Sequence, residues 1–521
     1  MENINPLIRC DMYKEQHCDA YNPRTELIYS TFTPRKSRYN GVNKVVVFGL
    51  QYLVKKFLIE DFNKNFFSKP KDEVVNSYLR IMNNTVHNNG IGKERIEKLH
   101  DLGYLPIRID ALEEGTLCPM RVPMLTIQNT LPEFYWLTNF LETLICNTLW
   151  LPCTSATTAL EYRKILEKWA DKTCDDNKHV DFQAHDFSLR SMSSMESGAI
   201  SGVGHLCSFV GTDTIPAVYY AEKYYNADVE NELVGTSVMA TEHSVQETNI
   251  LFYDDEDKTN GEYINLKTLL ERVPSTEILS YVADTYNQWE LIRNVLPKLE
   301  HEILSREGKL VIRGDSGDPV DIICGTNTRD IPVEIPEKSK QYTEEIEKGI
   351  VELLWDTFGG TVNSKGYKVL NPHIGAIYGD SMSLERVEEI CRRLESKGFA
   401  SSNVVLGVGG YSYQYVTRDT FGFALKTTYG VVDGKEILLF KDPITDSGEK
   451  KSQKGMVIVT YDKDGNLVYV DELTADTKQK MHSVDLLKPL FKDGKLLRET
   501  SLSEIRDKIK EQKKIKDLVL I

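Results

Sequence analysis

The stretch HIGAIYGDSMSLERVEEICRRLESKG, residues 373–398, holds one complete structural unit: a short apolar strand, a polar tip at Gly379-Asp380-Ser381, then a helix. The unit recurs along the middle of the chain. CSFVGTDTIPAVYYAEKYY (207–225), ILSYVADTYNQWELIRNVL (278–296), KLVIRGDSGDP (309–319) and NVVLGVGGYSYQYVTRD (403–419) repeat the order strand, tip, helix. Strands that alternate with helices imply βαβ units and a parallel sheet or barrel.

Outward from this core the rhythm changes. Residues 1–150 mix strand-like pieces (ELIYSTF, KVVVFGL) with the amphipathic stretch QYLVKKFLIEDF. LPIRIDALEEGTLCP followed by VPMLTIQNT reads as a β-meander punctuated by Pro and Gly. TSATTALEYRKILEKWADKT is a strong helix. Residues 325–350 are charged and interrupt the βα rhythm as a surface insertion. The C-terminal region holds a β-hairpin, GMVIVTYDKDGNLVYVDE, and a basic helix with a capping box from Ser501 to Glu504. The division expected is a flanking β-rich domain of residues 1–152 and 421–521 around an α/β barrel of residues 153–420.

Bulk properties exclude several classes. The 521 residues are 41% hydrophobic and 27% charged, an ordinary globular composition, and carry a net charge of −15. That charge argues against nucleic-acid or membrane-surface binding, while leaving room for a small basic pocket. The nine cysteines are scattered without a CxxC, which indicates neither a disulfide framework nor a zinc site. The sequence shows no signal peptide and no apolar run long enough for a membrane span, so a cytoplasmic location is expected.

The tips carry the candidate chemistry. Asp213, His243, Asp284, Arg313 with Asp315, Asp380, and the glycines Gly407, Gly409 and Gly410 each stand where a strand ends. In α/β barrels that edge builds the active site from several strands. A single Asp there is a common turn or cap residue, but four on successive units beside a histidine and an arginine exceed what capping needs. The GVGG loop offers backbone N–H groups to an anion, and Arg418, Lys426, Lys441 and Lys450 follow it. Taken singly, each lysine reads as a solvated surface residue and GVGG as a tight turn. Aromatics at Phe187 and Tyr13 are suited to a flat ring. For His243, spacing alone favours a buried structural imidazole; the same holds for His185 and His205.

These residues carry a family likeness. DMYKEQH (11–17), HDFSLRSMSS (185–194), FVGTDT (209–214), EHS (242–244), RGDSGDP (313–319), YGDS (378–381), GVGG (407–410), TRDTFGFALKTTYG (417–430) and FKDP (440–443) resemble the nicotinamide phosphoribosyltransferases. The resemblance implies the type II phosphoribosyltransferase fold, an irregular α/β barrel with a flanking β-rich α+β domain built from both chain ends. It implies transfer of phosphoribosyl from 5-phosphoribosyl-1-pyrophosphate to nicotinamide, in a head-to-tail homodimer with its sites at the subunit interface. By the same likeness nicotinamide stacks between Phe187 and the Tyr13 of a second subunit, with Asp213 at its carboxamide and Arg313 beside it. Phosphates fall to Arg35, Arg190, Gly409, Gly410, Arg418, Lys426, Lys441 and Lys450. Asp315 and Asp380 are implied around the ribose and Mg²⁺. His243 is implied as a residue phosphorylated by ATP, with Asp284 its candidate orienter.

The sequence departs from the family at Ser191, where Gly is usual, and at Gly314, where Pro is common. Because both flank ligand positions, a larger donor, ADP-ribose pyrophosphate, stays open as an alternative that would form NAD directly. Nicotinate as the base is a second alternative, although Asp213 would repel its carboxylate. A non-catalytic nucleotide-binding protein on the same fold is a third.

Overall fold

The computed structural model describes residues 4–85, 92–326, 337–379, 381–445, 448 and 450–519, without the side chains beyond residue 512. The chain forms two compact units. One comprises Met1–Thr157, Tyr219–Glu230 and Val416–Ile521; the other comprises Thr158–Val218 and Asn231–Tyr415. The helix Glu142–Thr173 contributes to both.

The second unit is built on a parallel sheet. Its order is Gly211–Thr212, Ala184–Asp186, Val404–Val408, Ile374–Tyr378, Leu310–Gly314, Leu279–Val282, Met239–Ala240. The two edges meet. Thr236, just before Met239–Ala240, bridges to Gly211 in parallel, and Thr212 N donates to Thr236 O at 2.9 Å. This curls the sheet into the irregular barrel expected from the alternating pattern.

The stretch 373–398 shows why the sequence folds this way. All five residues of Ile374–Tyr378 are buried, as befits a parallel strand covered on both faces. Its helix, Leu384–Ser396, starts at Ser383, whose hydroxyl accepts from Arg386 N at 3.3 Å. The helix buries Val387, Ile390, Cys391 and Leu394, one stripe at helical spacing. Each such side chain stabilises the barrel by about 1.5–3 kcal/mol.

The first unit carries a seven-stranded antiparallel sheet. Its order is Lys435–Leu438, Ala424–Val432, Thr25–Thr33, Leu125–Asn129, Ile107–Ala111, Lys488–Lys492, Lys495–Leu496. Both ends of the chain therefore enter one sheet. Two of its hairpins close on Asp-Gly pairs, Asp433-Gly434 and Asp493-Gly494, with all four residues at positive φ. Such turns match the twist of the flanking strands.

The expected meander around residues 105–129 is corrected. Ile107–Ala111 and Leu125–Asn129 do pair, but Leu117–Pro119 leaves them to pair with Lys44–Val46 in a separate two-stranded sheet. Local punctuation by Pro and Gly marks the ends of strands without specifying their partners. The hairpin is found as Met456–Tyr461 against Leu467–Leu473. In the capping box, Glu504 N donates to Ser501 Oγ at 3.2 Å and Ser501 N to Glu504 Oε2 at 2.7 Å. Of the expected insertion at 325–350, residues 327–336 lie outside the described residues; Glu337–Tyr342 and Thr343–Phe358 are helical.

Candidate active site

Because the barrel strands are parallel, the residues that follow them share one rim. Phe187 follows Ala184–Asp186, Asp213 follows Gly211–Thr212, and His243 follows Met239–Ala240. Asp284 follows Leu279–Val282, Asp315 follows Leu310–Gly314, and Gly409 follows Val404–Val408. Asp380 lies outside the described residues. In this fold the rim beyond the strand carboxyl ends is where chemistry is placed.

Asp213 is the centre of one group. His185 Nε2 stands 3.0 Å from its Oδ1, and Ser237 Oγ donates to the same oxygen. Burial works against ionisation of Asp213, but His185, Ser237 and the Arg313 charge outweigh it and hold the carboxyl below its ordinary pKa. Asp213 therefore remains an anion and an acceptor. The His185 ring also packs against Phe187, with centroids 4.6 Å apart at 35°. Phe187 is fixed from behind: its N–H donates to Val408 O at 2.8 Å, and a β-carbon at Gly407 would lie 2.7 Å from its ring. A cavity of about 290 Å³ lies within the barrel toward the amino ends of its strands, lined by Phe182, His185, Ser237, Ile278, Lys309 and Val404.

Arg313 belongs to the same group. Burial pulls its pKa down, and Asp315, Asp284 and Asp213 pull it back up. Its Nε is buried with no hydrogen-bond partner among the described residues, a donor left for a ligand. Asp315 approaches the Gly379 backbone so closely that a β-carbon there would be 2.4 Å from its Oδ1.

His243 begins the helix His243–Tyr253, and its Nε2 is 3.2 Å from Asp284 Oδ1. The side chain of the histidine is 43% exposed and that of the aspartate 7%, so a buried carboxylate orients an accessible imidazole. The helix buries Ile250 and Gln246, and a polar network runs beneath it. Thr241 Oγ1 accepts from Val282 N at 3.0 Å, and Gln246 Nε2 donates to Val282 O at 3.1 Å. Asn265 Nδ2 donates to Gln246 Oε1 at 2.8 Å and to Tyr281 OH at 3.3 Å; that hydroxyl donates to Glu262 Oε1. Burial pushes the Glu262 carboxyl up to about 8, and the Tyr281 hydrogen bond partly opposes it.

The glycine loop lies beside Arg190. Gly409 caps the short helix Gly410–Tyr413, and a β-carbon at Gly410 would meet Ser191 Cβ at 2.5 Å. Arg190 itself is exposed.

The remaining expected residues belong to the first unit. Arg35 and Lys426 line a small cleft with Arg121, Lys450 and Lys451. Lys441 N donates to Ser452 Oγ at 2.9 Å, beside that cleft. Arg418 is exposed and stands 3.5 Å from Asp419. Tyr13 is 60% exposed, edge-on to His17 at 5.1 Å.

Several residues in these groups escape sequence reasoning. His185 reads as structural by sequence, yet it touches both Asp213 and Phe187; its place one residue after a buried strand begins gave no sign of that. Ser237, Arg121 and Lys451 carry no motif at all. His205 is a core residue as expected, bonded to Tyr413 OH at 2.7 Å and Gly211 O at 3.0 Å.

Comparison with known proteins adds an independent line. Residues 182–495 match the model of the nicotinate phosphoribosyltransferase (NAPRTase) family, and residues 5–109 match that of the nicotinamide phosphoribosyltransferase N-terminal domain. A nicotinamide phosphoribosyltransferase of Acinetobacter baylyi is 44% identical over 98% of both chains. One from Xanthomonas campestris is 32% identical over 96% of this chain and 97% of its own. Among solved structures, a nicotinate-nucleotide pyrophosphorylase from Pyrococcus furiosus superposes with a TM-score of 0.57 at 16% identity, over 98% of this chain and 96% of that one. Human nicotinic acid phosphoribosyltransferase gives 0.50 at 14%, over 96% and 93%. At those identities the structures support the fold alone.

Proposed function

The chain belongs to the nicotinamide phosphoribosyltransferase family, and from that premise we propose how its residues perform the transfer of phosphoribosyl from phosphoribosyl pyrophosphate to nicotinamide. The products are nicotinamide mononucleotide and pyrophosphate. The observation that carries the assignment of the base is the group around Asp213: an ionised carboxylate held by His185 and Ser237, an arginine whose buried Nε has no partner among the described residues, and an aromatic ring packed on His185. A carboxamide N–H₂ donates to Asp213, its carbonyl accepts from Arg313, and the pyridine ring lies on Phe187. Nicotinate in the same position would set its carboxylate against Asp213.

The chemistry is a displacement at the ribosyl carbon. Its bond to the pyrophosphate oxygen breaks as the bond to the pyridine nitrogen forms. The pyridine is a weak nucleophile, so the carbon becomes cation-like. Asp315 stabilises that charge from the rim, while stacking holds the base in line. Arg190 and the Gly409–Gly410 backbone receive phosphate. Mg²⁺ fits the residues present. Among the described residues no three His, Cys, Asp or Glu side chains form a metal-holding group, but Mg²⁺ is usually held by one or two carboxylates with substrate phosphates and water. Asp315, with Asp380, would hold it, and the ion would neutralise the departing pyrophosphate.

Two further elements complete the reading. The protein acts as a homodimer in which Tyr13, Arg35, Arg418, Lys426, Lys441 and Lys450 of one subunit complete the site of the other; the exposure of Tyr13 and the basic cleft support this. ATP phosphorylates His243, which Asp284 orients, and hydrolysis of that phosphate drives synthesis. Among the described residues no helix is long and apolar enough to cross a membrane. The test of the base assignment is Asp213→Asn assayed with nicotinamide and nicotinate. A rise of about tenfold or more in KM for nicotinamide is expected; unchanged constants for both bases would remove Asp213 from the site.

A further inference from the structure

The helix Glu142–Thr173 opens with a carboxylate that serves two lysines at once. Glu142 Oε2 accepts from Lys14 Nζ, and Glu142 Oε1 stands 3.7 Å from Lys426 Nζ. Lys14 is only 5% exposed and lies next to Tyr13 in the short helix Met12–Gln16, with its ammonium 5.4 Å from the Tyr13 ring centroid. Lys426 lies in the strand Ala424–Val432 and lines the basic cleft with Arg35, Arg121, Lys450 and Lys451. The neighbouring residues repeat the connection. Thr143 Oγ1 donates to Asp11 Oδ2 at 2.6 Å, tying the start of the Tyr13 segment to the same helical turn. Asn139 Nδ2 donates both to Tyr21 OH and to Thr427 Oγ1, each at 2.7 Å, binding the far side of that segment to the strand of Lys426.

The electrostatics give the contact a direction. Burial lowers the pKa of the Lys426 ammonium, Glu142 supports its charge, and Arg35 and Lys441 oppose it. The Lys426 ammonium donates to Leu425 O at 2.9 Å and faces one carboxylate among several cations, and it gains a stronger anionic partner when a phosphate enters the cleft. Glu142 is then left to Lys14 alone, and the Tyr13 segment loses a competitor for its anchor.

We propose that Glu142 is a positioning residue that couples the nicotinamide-stacking Tyr13 segment to the donor-phosphate cleft, so that phosphate bound at Lys426 strengthens the binding of nicotinamide. This rests on the roles given above to Tyr13 and Lys426. It follows that the two ligands bind synergistically, and that the synergy runs equally in both directions.

Full-length protein carrying Glu142→Gln tests this, with inorganic pyrophosphate as the probe for the cleft. Calorimetric titration of nicotinamide, with and without saturating pyrophosphate, is expected to show about fivefold tighter binding with pyrophosphate in the natural protein and less than about twofold in Glu142→Gln. In steady state, KM for both substrates should rise about fivefold while kcat stays within about twofold, a split that general loss of structure does not produce. Glu142→Asp should restore part of the synergy. Should Glu142→Gln fold poorly, Lys14→Met removes the link from the other side, and the synergy should be lost with the pyrophosphate affinity itself retained. Synergy preserved in Glu142→Gln, or in Lys14→Met, overturns the proposal. Tyr13→Ala and Lys426→Ala separate the two levels. If they leave the constants for base and donor unchanged, the site assignment fails; if they raise them while Glu142→Gln does not, only the coupling fails.

Discussion

At the scale of single residues, the proposed function divides the work between two side chains, one for recognition and one for energy coupling. Asp213 is kept below the ordinary carboxylate pKa by His185, Ser237 and Arg313 against the cost of burial. A carboxyl with a depressed pKa stays ionised at every pH above it, so the preference for nicotinamide over nicotinate should stay flat from about pH 8 to about pH 5. Competition between the two bases across that range checks this; a preference that collapses within it would remove Asp213 from the choice of base. The proposal gives the other function to His243. His243→Ala should abolish ATP hydrolysis and phosphoenzyme formation while base transfer persists, measured as phosphate release and pyrophosphate release in parallel. Undiminished ATP hydrolysis would contradict its role. The sequence showed both residues by position and motif, at strand ends and within FVGTDT and EHS. It hid His185 and Ser237, because a residue that holds another's charge needs only the right distance in space and leaves no spacing to read.

At the scale of elements, glycines and buried polar groups set the rim. Gly379 permits Asp315 to sit against the backbone at the end of Ile374–Tyr378. Gly379→Ala should displace that carboxylate and lower kcat by about tenfold or more, with thermal melting shifted by only a few degrees; full activity would show that the carboxylate has room to spare. The support of the His243 helix titrates. Glu262 has its pKa raised to about 8, chiefly by burial. A raised pKa in an acid means that stability is fully present below its unfolded value and is lost as pH climbs through the folded one. Between its unfolded value near 4.5 and about pH 8 each unit costs about 1.4 kcal/mol, and above about pH 8 the loss is complete. Glu262→Gln should therefore melt at a nearly constant temperature from about pH 6 to about pH 8 while the natural protein falls, and parallel melting curves would refute the assignment. Elements were legible where periodicity is strong, as in Leu384–Ser396, or where a turn has one chemistry, as at Asp433-Gly434. Pairing was not: Leu117–Pro119 finds Lys44–Val46 instead of its neighbours, because strand partners are chosen by long-range packing.

At the scale of the whole molecule, the recurring strand–tip–helix unit made the barrel legible, and motifs at both chain ends anticipated that the first and last segments share one sheet. The basic cleft was legible only in part. Arg35, Lys426 and Lys450 were expected there, but Arg121 and Lys451 were not, since isolated cations look alike in sequence. The proposed homodimer has a direct test. Dilution of the enzyme below its dimer dissociation constant should extinguish activity, and mixing Tyr13→Ala with Phe187→Ala subunits should restore about a quarter of it through one intact site per heterodimer. No restoration on mixing would place Tyr13 and Phe187 in the same subunit's site or in none. The central claim is the reaction itself. Mass spectrometry of the product formed from nicotinamide, Mg²⁺ and either phosphoribosyl pyrophosphate or ADP-ribose pyrophosphate tests it most directly. Nicotinamide mononucleotide with stoichiometric pyrophosphate from the first donor, and no dinucleotide from the second, is the result the account predicts; NAD from the second donor, or no product from the first, would contradict it.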